Sequence, residues 1–311
     1  MPCYHPKKAW KPCSKHNPDQ RPKFGDFPPS NRWAYSAIKL PCGACIGCRL
    51  DKASEWGARI MQESQFHKFN AFLTLTIDDE HMNEKYEVSP RDLQLFMKKL
   101  RKWVKKKHGV NVRFVAVGEY GDQTKRAHYH VCLFGECFME DRKECEKSHT
   151  GHRQWVSETL TKLWGKGNCK IGAITPQSAE YVGRHNIKKV NGEKAKEHYR
   201  YQLPTTGEIV DRLPEFIRMS NRPGIGRGYF EQNKETLKKR DSVIVKGRER
   251  RVPKYYDKLL KREDPETLEA IKAKRKARAR KPENKKNSTL ERLLVREIVR
   301  KSKLAMLARP V

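Results

Sequence analysis

The sequence lacks any apolar run long enough to cross a lipid bilayer, and its first residues, MPCYHPKK, contain no apolar signal segment. Acidic residues are also scarce. The 311 residues include 37 Asp and Glu against 68 Lys and Arg, which gives a formal net charge of +31. Nine cysteines, an odd number without a signal segment, argue against a disulfide framework and for a reducing compartment. We therefore expect no membrane partner and a polyanionic one, for which nucleic acid is the default.

Composition and periodicity divide the chain into three parts. Residues 1–66 form a Cys-rich segment with a first helix, and within them residues 1–41 show so little periodicity that we expect irregular structure. Residues 67–239 mix strand and helix patterns without strict alternation, which favours an α+β fold with a central antiparallel sheet flanked by helices. Residues 240–311 are a basic, partly helical tail, in which residues 290–307 fit an amphipathic helix.

Periodicity and capping signals place the individual elements of the central part. The first helix is expected to run from residue 49 to about 66. The following elements are expected after it: a strand at 71–77, a helix beginning at Ser89-Pro90, a strand at 111–117, a strand through His128 and His130, a helix at 152–164, a strand at 169–175 and a helix through Tyr181.

His128 and His130 are separated by one residue within an apolar run. Successive side chains of a strand point to opposite faces, so the two imidazoles project together and suit a divalent metal ion. A carboxylate ligand would favour Mg²⁺ or Mn²⁺. Glu119 is expected to supply it, if the preceding strand pairs with the histidine strand as a hairpin. The alternative is that Glu119 pairs with Lys125 or Arg126.

A second candidate metal site is a glycine-rich turn of the kind found in metal knuckles. Its cysteines have two residues between successive members: Cys42, Cys45 and Cys48. Tetrahedral Zn²⁺ requires a fourth ligand, for which Cys3 is the first choice and His5 or Cys13 the alternatives. Such an ion would be structural, tying the N-terminal segment to the first helix. An iron–sulfur cluster is the minority alternative. The other cysteines are expected to be packing residues: Cys132, Cys137, Cys145 and Cys169.

A tyrosine and several basic residues share one face of the helix expected around residue 181. Tyr181, Arg184, His185 and Lys188 follow the spacing i, i+3, i+4 and i+7. A tyrosine beside cations is suited to attack a phosphodiester once its pKa, ordinarily about 10, is lowered. The alternative is a structural tyrosine with its ring in the core and its hydroxyl at the surface.

The order of these motifs resembles that of HUH-type replication initiators. FLTLT at residues 72–76 matches the first motif, the histidine pair matches the metal motif, and Tyr181 with its trailing lysines matches the nucleophile motif. Within that superfamily the chain is most similar to the initiators of gokushovirus-type (Microviridae) single-stranded DNA phages. Four stretches carry the similarity: residues 40–49, 118–121, 179–182 and 219–226.

This resemblance implies an HUH endonuclease fold and a metal-dependent enzyme that starts rolling-circle replication. Tyr181 would attack single-stranded origin DNA and form a 5′-phosphotyrosine link, while a metal ion on the histidines polarises the phosphate. Lys188 would neutralise charge or assist proton transfer. Four residues are expected to contact DNA: Arg184, Lys189, Arg222 and Arg227. The implied partners are origin DNA, a host polymerase and a host helicase, in the cytoplasm of a bacterial host.

One position departs from the family pattern. Related phage initiators often carry a second tyrosine four residues after the first, where this chain has His185. Either one tyrosine serves both steps, or Tyr199 or Tyr201 takes part, or the order of events differs. Two other functions stay open, namely a transposase or relaxase of the same superfamily and a non-catalytic, zinc-stabilised nucleic-acid-binding protein.

Overall fold

The computed structural model describes most of the chain: residues 3–13, 21–29, 34–121, 123–148, 151–185, 190 and 193–306. These residues form an α+β protein with a large antiparallel sheet flanked by helices, which confirms the expected fold class. Its contacts define two compact units, one of Ala53–Ile271 and one that combines Met1–Lys52 with Lys272–Val311. The three parts expected from composition divide the chain differently and stay a prediction.

The elements are numbered here in chain order. The strands are β1 (Lys7–Pro12), β2 (Lys23–Phe24), β3 (Tyr35–Leu40), β4 (Asn70–Thr76), β5 (Arg113–Tyr120), β6 (Ala127–Phe134), β7 (Lys143–Cys145), β8 (Gln154–Val156), β9 (Cys169–Gly172), β10 (Arg200–Gln202), β11 (Ile209–Asp211), β12 (Phe216–Met219), β13 (Ser242–Val245) and β14 (Arg248–Arg251). The α-helices are α1 (Ile46–Ser64), α2 (Pro90–His108), α3 (Glu158–Trp164), α4 (Pro176–His185), α5 (Lys194–His198), α6 (Arg227–Arg240), α7 (Lys254–Glu263), α8 (Pro265–Arg280), α9 (Pro282–Lys286) and α10 (Leu290–Ala305).

In the described part of the larger unit, seven strands form one sheet in the order β12-β5-β6-β4-β9-β8-β7, with antiparallel pairing throughout. The strands β5 and β6 are a hairpin in which Glu119 lies opposite His128. The sequence prediction ended β5 at residue 117, and this is wrong. Pairing with β6 on one side and β12 on the other carries the strand through Gly118 and Glu119 to Tyr120.

Helices cover both faces of this sheet. On one face α2 and α3 pack against β4 and β6, and the cluster includes Leu73, Phe96, Leu133 and Trp164. On the other face side chains of α1, α4, α6, α7 and α8 pack against β5 and β6. Each large side chain removed from water there contributes about 1.5–3 kcal/mol to stability. Glu119, His128 and His130 belong to this second face, because they alternate in phase with its buried residues.

Local sequence signals explain where several helices begin. Ser89 caps α2 by accepting a hydrogen bond from the backbone N–H of Asp92, and Pro90 occupies the first turn, as predicted. The single helix predicted over residues 152–164 is wrong in its first half. β8 pairs there with β7 and β9, and Ser157 then caps α3 by accepting from the N–H of Leu160.

The smaller unit corrects the expectation of irregular structure in residues 1–41. There β1 pairs with both β2 and β3, and the pairing buries Ala9 and Trp10. In the same unit the His5 imidazole lies 2.7 Å from the Glu297 carboxylate on α10, the terminal helix that the sequence predicted. None of the helices in the described residues is long and apolar enough to cross a membrane.

Residues beyond 240 are more structured than a basic tail suggests. β13 and β14 form a hairpin that the sequence reasoning did not include. Tyr256, Leu259 and Leu268 are buried in the core on the sheet face that α1 and α4 cover. The larger unit therefore extends to Ile271, although the chain becomes strongly basic soon afterwards.

Candidate functional site

Three potential metal ligands converge on the sheet face that α4 covers. The Glu119 Oε1 atom lies 2.9 Å from His128 Nε2 and 3.2 Å from His130 Nε2. The hairpin register produces this arrangement, since it places Glu119 opposite His128, and strand alternation puts His130 on the same face. Of the two alternative partners of Glu119, Lys125 and Arg126, the second pairs with Asp79 instead. We call Glu119, His128 and His130 the triad.

Contacts behind the two histidines orient their rings. His128 Nδ1 lies 3.1 Å from the carbonyl oxygen of Arg126, which can only accept a hydrogen bond. A neutral His128 ring with its proton on Nδ1 would donate to this oxygen and leave the Nε2 lone pair on the side of Glu119 for a metal ion. His130 Nδ1 lies 3.1 Å from Thr74 Oγ1, and the Phe72 ring stacks on the imidazole with centroids 5.3 Å apart. Both residues that contact the His130 ring in this way, Thr74 and Phe72, lie on β4.

Tyr181 places its hydroxyl beside the triad. The oxygen lies 3.4 Å from both Glu119 Oε1 and His130 Nε2, and the tyrosine ring meets the His130 ring edge-on at 5.0 Å. The helix that carries it begins with a reciprocal cap. The Thr175 N–H donates to Ser178 Oγ, and the Ser178 N–H donates to Thr175 Oγ1. The structure thus brings together the tyrosine and the three ligands proposed from sequence.

Two glycines set the depth of α4 against α1. A Cβ atom at Gly183 would lie 2.8 Å from the backbone of Ala53, and one at Gly57 would lie 2.6 Å from the Glu180 side chain. Larger residues would therefore push the helices apart. An ion pair of 2.8 Å between Arg250 and Glu180 holds α4 from another side. These contacts fix the height of the Tyr181 hydroxyl above the sheet.

The donor set of the triad fits a divalent cation. One carboxylate oxygen and two imidazole nitrogens lie within 4.8 Å of one another, and such mixed donors bind divalent metals. Glu119 is only 1% exposed and His130 only 6%. A carboxylate buried this deeply requires compensation of its charge, which a bound cation provides. Glu119, His128 and His130 are therefore the residues that would hold the ion.

The cysteine cluster is complete with Cys3. One sulfur from each of four residues lies within 4.8 Å of the others: Cys3, Cys42, Cys45 and Cys48. Four thiols suit tetrahedral Zn²⁺, and the arrangement is that of a closed structural site. Both alternatives for the fourth ligand lie elsewhere, because His5 faces Glu297 and Cys13 is exposed outside the cluster.

Backbone amides favour the thiolate form of Cys45, whereas burial raises the pKa of Cys3 and Cys48. The Tyr4 N–H donates to Cys45 Sγ at 3.4 Å, and the Cys42 N–H donates to Cys3 Sγ at 3.2 Å. Burial raises the pKa of the Cys45 thiol. Hydrogen bonds from the backbone at Cys48 and Tyr4 outweigh that effect and lower the pKa to about 6. Because metals bind thiolates, the surroundings of Cys45 favour ligation by this residue.

Comparison with known proteins shows which family the chain belongs to. The family model for replication-associated protein ORF2/G2P matches residues 70–190. Replication-associated protein ORF2 of Spiroplasma virus 4 is 38% identical over 247 residues, which cover 76% of this chain and 72% of that protein. The chain belongs to the family of phage replication-associated proteins. This confirms the resemblance that its motifs indicated.

Two further relatives carry the same description. Replication-associated protein VP4 of Bdellovibrio phage phiMH2K is 31% identical over 250 residues, covering 79% of this chain and 75% of the relative. Replication-associated protein ORF4 of Chlamydia phage 1 is 26% identical over 235 residues, covering 73% and 54% respectively. No solved structure matches this replication-associated protein.

The structure places some of the other predicted site residues away from the triad, and some lie outside the described residues. Lys188 and Lys189 belong to the latter group, as does the side chain of His185. Arg184 follows Tyr181 by one helical turn on α4. Arg222 is exposed ahead of α6, and Arg227 pairs with Glu231 at 3.0 Å within α6. Their contacts with DNA stay a prediction.

Tyr199 and Tyr201, considered as second nucleophiles, have structural contacts instead. The buried Tyr199 hydroxyl donates to Glu215 at 2.6 Å and accepts from the Val190 N–H. Burial and the nearby Glu215 carboxylate raise the Tyr199 pKa, which opposes phenolate formation. The Arg212 guanidinium lies 3.2 Å from the centre of the Tyr201 ring. Neither observation supports a nucleophilic role for these tyrosines in this replication-associated protein.

Sequence reasoning missed the supporting residues of the triad. Thr74 and Phe72 belong to the FLTLT segment that was used only as a family motif. Both lie on β4 beside the histidine strand, and Thr74 is directly opposite His130. Their supporting role follows from the pairing of β4 with β6. The order of motifs in the sequence does not specify which strands are neighbours.

Proposed function

We propose that this replication-associated protein starts rolling-circle replication of a phage genome by cutting single-stranded origin DNA with Tyr181. One observation carries the proposal: the Tyr181 hydroxyl lies 3.4 Å from two of the three triad donors. A scissile phosphate bound there would meet the nucleophile and the charge-stabilising group at once. The formal net charge of +31 supports a nucleic-acid partner.

In the proposed reaction, the Tyr181 oxygen attacks phosphorus and displaces the 3′ oxygen of the preceding nucleotide. The DNA 5′ phosphate becomes bonded to tyrosine, and the other fragment ends in a free 3′ hydroxyl. Mg²⁺ or Mn²⁺ bound by the triad would polarise the phosphate and offset its charge in the transition state. The phosphotyrosine retains the energy of the broken bond, so rejoining requires no ATP. Lys188, placed by sequence alone, would neutralise charge or assist proton transfer to the leaving oxygen.

The fate of the products defines the partners. A host polymerase would extend the free 3′ hydroxyl, and a host helicase would separate the strands, in the cytoplasm of the infected bacterium. The cysteine cluster would hold a structural Zn²⁺. Arg184, Lys189, Arg222 and Arg227 are proposed to contact the DNA backbone, where Lys and Arg contribute affinity without sequence specificity.

Tyr181→Phe tests the nucleophile directly. The protein is incubated with single-stranded origin DNA and Mn²⁺, and covalent species are resolved on a denaturing gel. We expect the variant to lose the covalent adduct and to keep DNA affinity within about twofold, because only one oxygen is removed. Tyr199→Phe is the matched control and should still form the adduct.

Two outcomes would contradict the proposal. An adduct that persists in Tyr181→Phe would remove this residue from the mechanism. A wild-type protein that binds the DNA but forms no adduct with any origin fragment would favour the non-catalytic, zinc-stabilised binding protein. Transposases and relaxases of the superfamily would also form an adduct, so joining of the cut phage origin into a unit-length circle distinguishes them.

A further inference from the structure

A cavity of about 540 Å³ lies in the larger unit, at the end of the sheet opposite the triad. Three connections line it: the one between α1 and β4, the one between α2 and β5, and the one after β6. Arg113 pairs with Phe134 beside the cavity, whereas Glu119 pairs with His128 in the triad. Six residues of strand separate these pairs, a distance of about 20 Å at roughly 3.3 Å per residue.

Aromatic rings dominate the walls and the rim of this cavity. The Trp103 and Phe138 rings stack with their centroids 5.9 Å apart. Phe66 and Phe69, which line the same cavity, are 40% and 41% exposed. Exposed apolar residues grouped around a concavity mark a binding site more often than scattered ones do.

Lysines stand beside these rings. Lys68 Nζ lies 5.3 Å from the centre of the Phe69 ring, and Lys107 Nζ lies 5.0 Å from that of Trp103. The last turn of α2, which forms one wall, has four consecutive basic residues: Lys105, Lys106, Lys107 and His108. Aromatic faces alternating with cations are the arrangement that proteins use for single-stranded nucleic acid, because bases stack and phosphates pair with the charges.

The acidic residues of the lining are engaged within the protein. Glu136 accepts hydrogen bonds from the N–H groups of Cys137 and Phe138, and its other oxygen lies 3.2 Å from His108. Asp141 accepts from Ser157 Oγ and the Thr159 N–H at the start of α3. Glu140 pairs with Lys107. Each of these three carboxylates thus has a partner within the protein, and Lys68 in the lining remains exposed.

We propose that this cavity is a stacking pocket for bases of the single-stranded DNA that flanks the scissile phosphate. The inference rests on the proposed function, since it assigns the path of the same DNA strand. At about 3.4 Å per nucleotide, the direct distance of about 20 Å corresponds to about six nucleotides. This is the minimum, because helices cover both faces of the sheet and the strand has to pass around them. The volume lies within the range of about 300–1,000 Å³ typical of small-molecule pockets and accommodates a nucleobase.

Photo-crosslinking of the unaltered protein tests the path of the strand. Single-stranded origin oligonucleotides carry one 5-iodouracil at successive distances from the nicked bond, and crosslinked peptides are identified by mass spectrometry. We expect crosslinks to peptides containing Phe69 or Trp103 from positions about six or more nucleotides away, and none from positions next to the nick. Crosslinks that never reach these peptides, at any position on either side, would overturn the pocket.

Substitution of Phe69 measures the contribution of stacking. A base stacked on an aromatic ring contributes a factor of about 5 to 150 to affinity. Phe69→Ala and Phe69→Leu should lower affinity for an oligonucleotide that reaches the pocket by at least about fivefold, whereas Phe69→Trp should retain it. Phe27→Ala, at a phenylalanine 84% exposed outside the pocket, is the control and should bind as wild type does. Equal affinity of Phe69→Ala and wild type would reject the proposal.

A short oligonucleotide separates this proposal from the proposed function. One that ends within three nucleotides of the nick cannot reach the pocket, so Phe69→Ala should form the Tyr181 adduct with it at the wild-type rate. Absence of the adduct in wild type would contradict the proposed function alone, because affinity and crosslinking are measured independently of cutting. Slower adduct formation by Phe69→Ala with the short oligonucleotide would indicate damage to the fold and overturn the stacking explanation.

Discussion

The two candidate metal centres differ in what holds their ligands. The triad stands on paired strands in the middle of the large sheet, and hydrogen-bonded register alone places Glu119 opposite His128. The cysteine cluster joins Cys3, ahead of β1, to the turn between β3 and α1 and to the first turn of α1, about 40 positions later in the chain. Strand pairing therefore assembles the triad. At the cysteine cluster, by contrast, the four thiols themselves connect segments that are distant in the chain.

Donor chemistry follows the same division. The triad offers one carboxylate and two imidazoles and has a tyrosine hydroxyl within 3.4 Å, so an ion there would have a reactive neighbour. The four thiols enclose their centre and leave no position for a substrate. Metal removal should therefore affect the two regions in different ways: loss of activity without unfolding at the triad, and loss of structure at the cluster.

Chelation of bound metal should produce the largest effect. Lys7 at the start of β1 pairs with Leu40 at the end of β3, so the cluster clamps that end of the small sheet. Structural zinc sites contribute roughly 10–16 kcal/mol of apparent binding free energy in small domains. We expect amides of β1 and β3 to lose hydrogen-exchange protection by several orders of magnitude, while amides of β4, β5 and β6 keep theirs.

A matched pair of variants sharpens this result. Cys42→Ser removes a cluster ligand, whereas Cys13→Ser changes an exposed cysteine outside the cluster. The first should reproduce the effect of chelation and the second should leave protection unchanged. Equal behaviour of the two variants, or comparable loss of protection in the large sheet, would break the distinction between the two centres.

Thr74→Val should produce an intermediate effect, at the triad. The substitution keeps the shape of the side chain but removes the oxygen that lies 3.1 Å from His130 Nδ1. Loss of such a supporting contact typically lowers metal affinity about 10- to 100-fold. Titration with Mn²⁺ by calorimetry measures this loss apart from any activity, and Thr74→Ser should restore binding.

Thr76→Val is the control for that measurement. Thr76 lies two residues further along the same strand and donates its hydroxyl hydrogen to the Asn168 carbonyl oxygen. It should leave Mn²⁺ affinity within about twofold of wild type, because it does not contact the His130 ring. If both variants weaken Mn²⁺ binding equally, general damage to β4 explains the result and His130 orientation does not.

Thiol reactivity should give the smallest but most local signal. The Cys45 pKa of about 6 lies below its ordinary value, so its thiolate form persists in the folded, metal-free protein until the pH falls through about 6. Alkylation with iodoacetamide, followed by peptide mass spectrometry, should show a midpoint near pH 6 at Cys45. Burial raises the Cys132 pKa and shields that thiol, which should stay unmodified in the native state. Zinc should protect Cys45, and indifference to zinc would contradict ligation.

Sequence patterns predicted the parts of the two centres that depend on local geometry. His128 and His130 follow from strand alternation, and Glu119 from a hairpin with a short connection. Cys3 followed from the need for a fourth ligand. The helices α2 and α10 were predictable because an apolar stripe and a capping residue coincide at each of them.

Features that depend on distant partners escaped prediction. β1 and β3 are short, and their pairing depends on residues separated by about 30 positions, so no local period reveals them. The sequence predicts helix at β8, because these three residues form a strand only by pairing with β7 and β9, which no local pattern reveals. The packing of Gly57 on α1 against α4, which sets the height of Tyr181, is likewise visible only in three dimensions.

All three triad residues lie on one hairpin, between positions 119 and 130. A single residue inserted in either strand would turn Glu119 or the histidines to the opposite face, whereas insertions in the connection at 121–126 would leave the register intact. Hairpins of this size form within about 10 μs, so the ligand set can assemble early in folding. This one segment therefore carries the complete candidate ligand set, whereas α4 supplies Tyr181 separately.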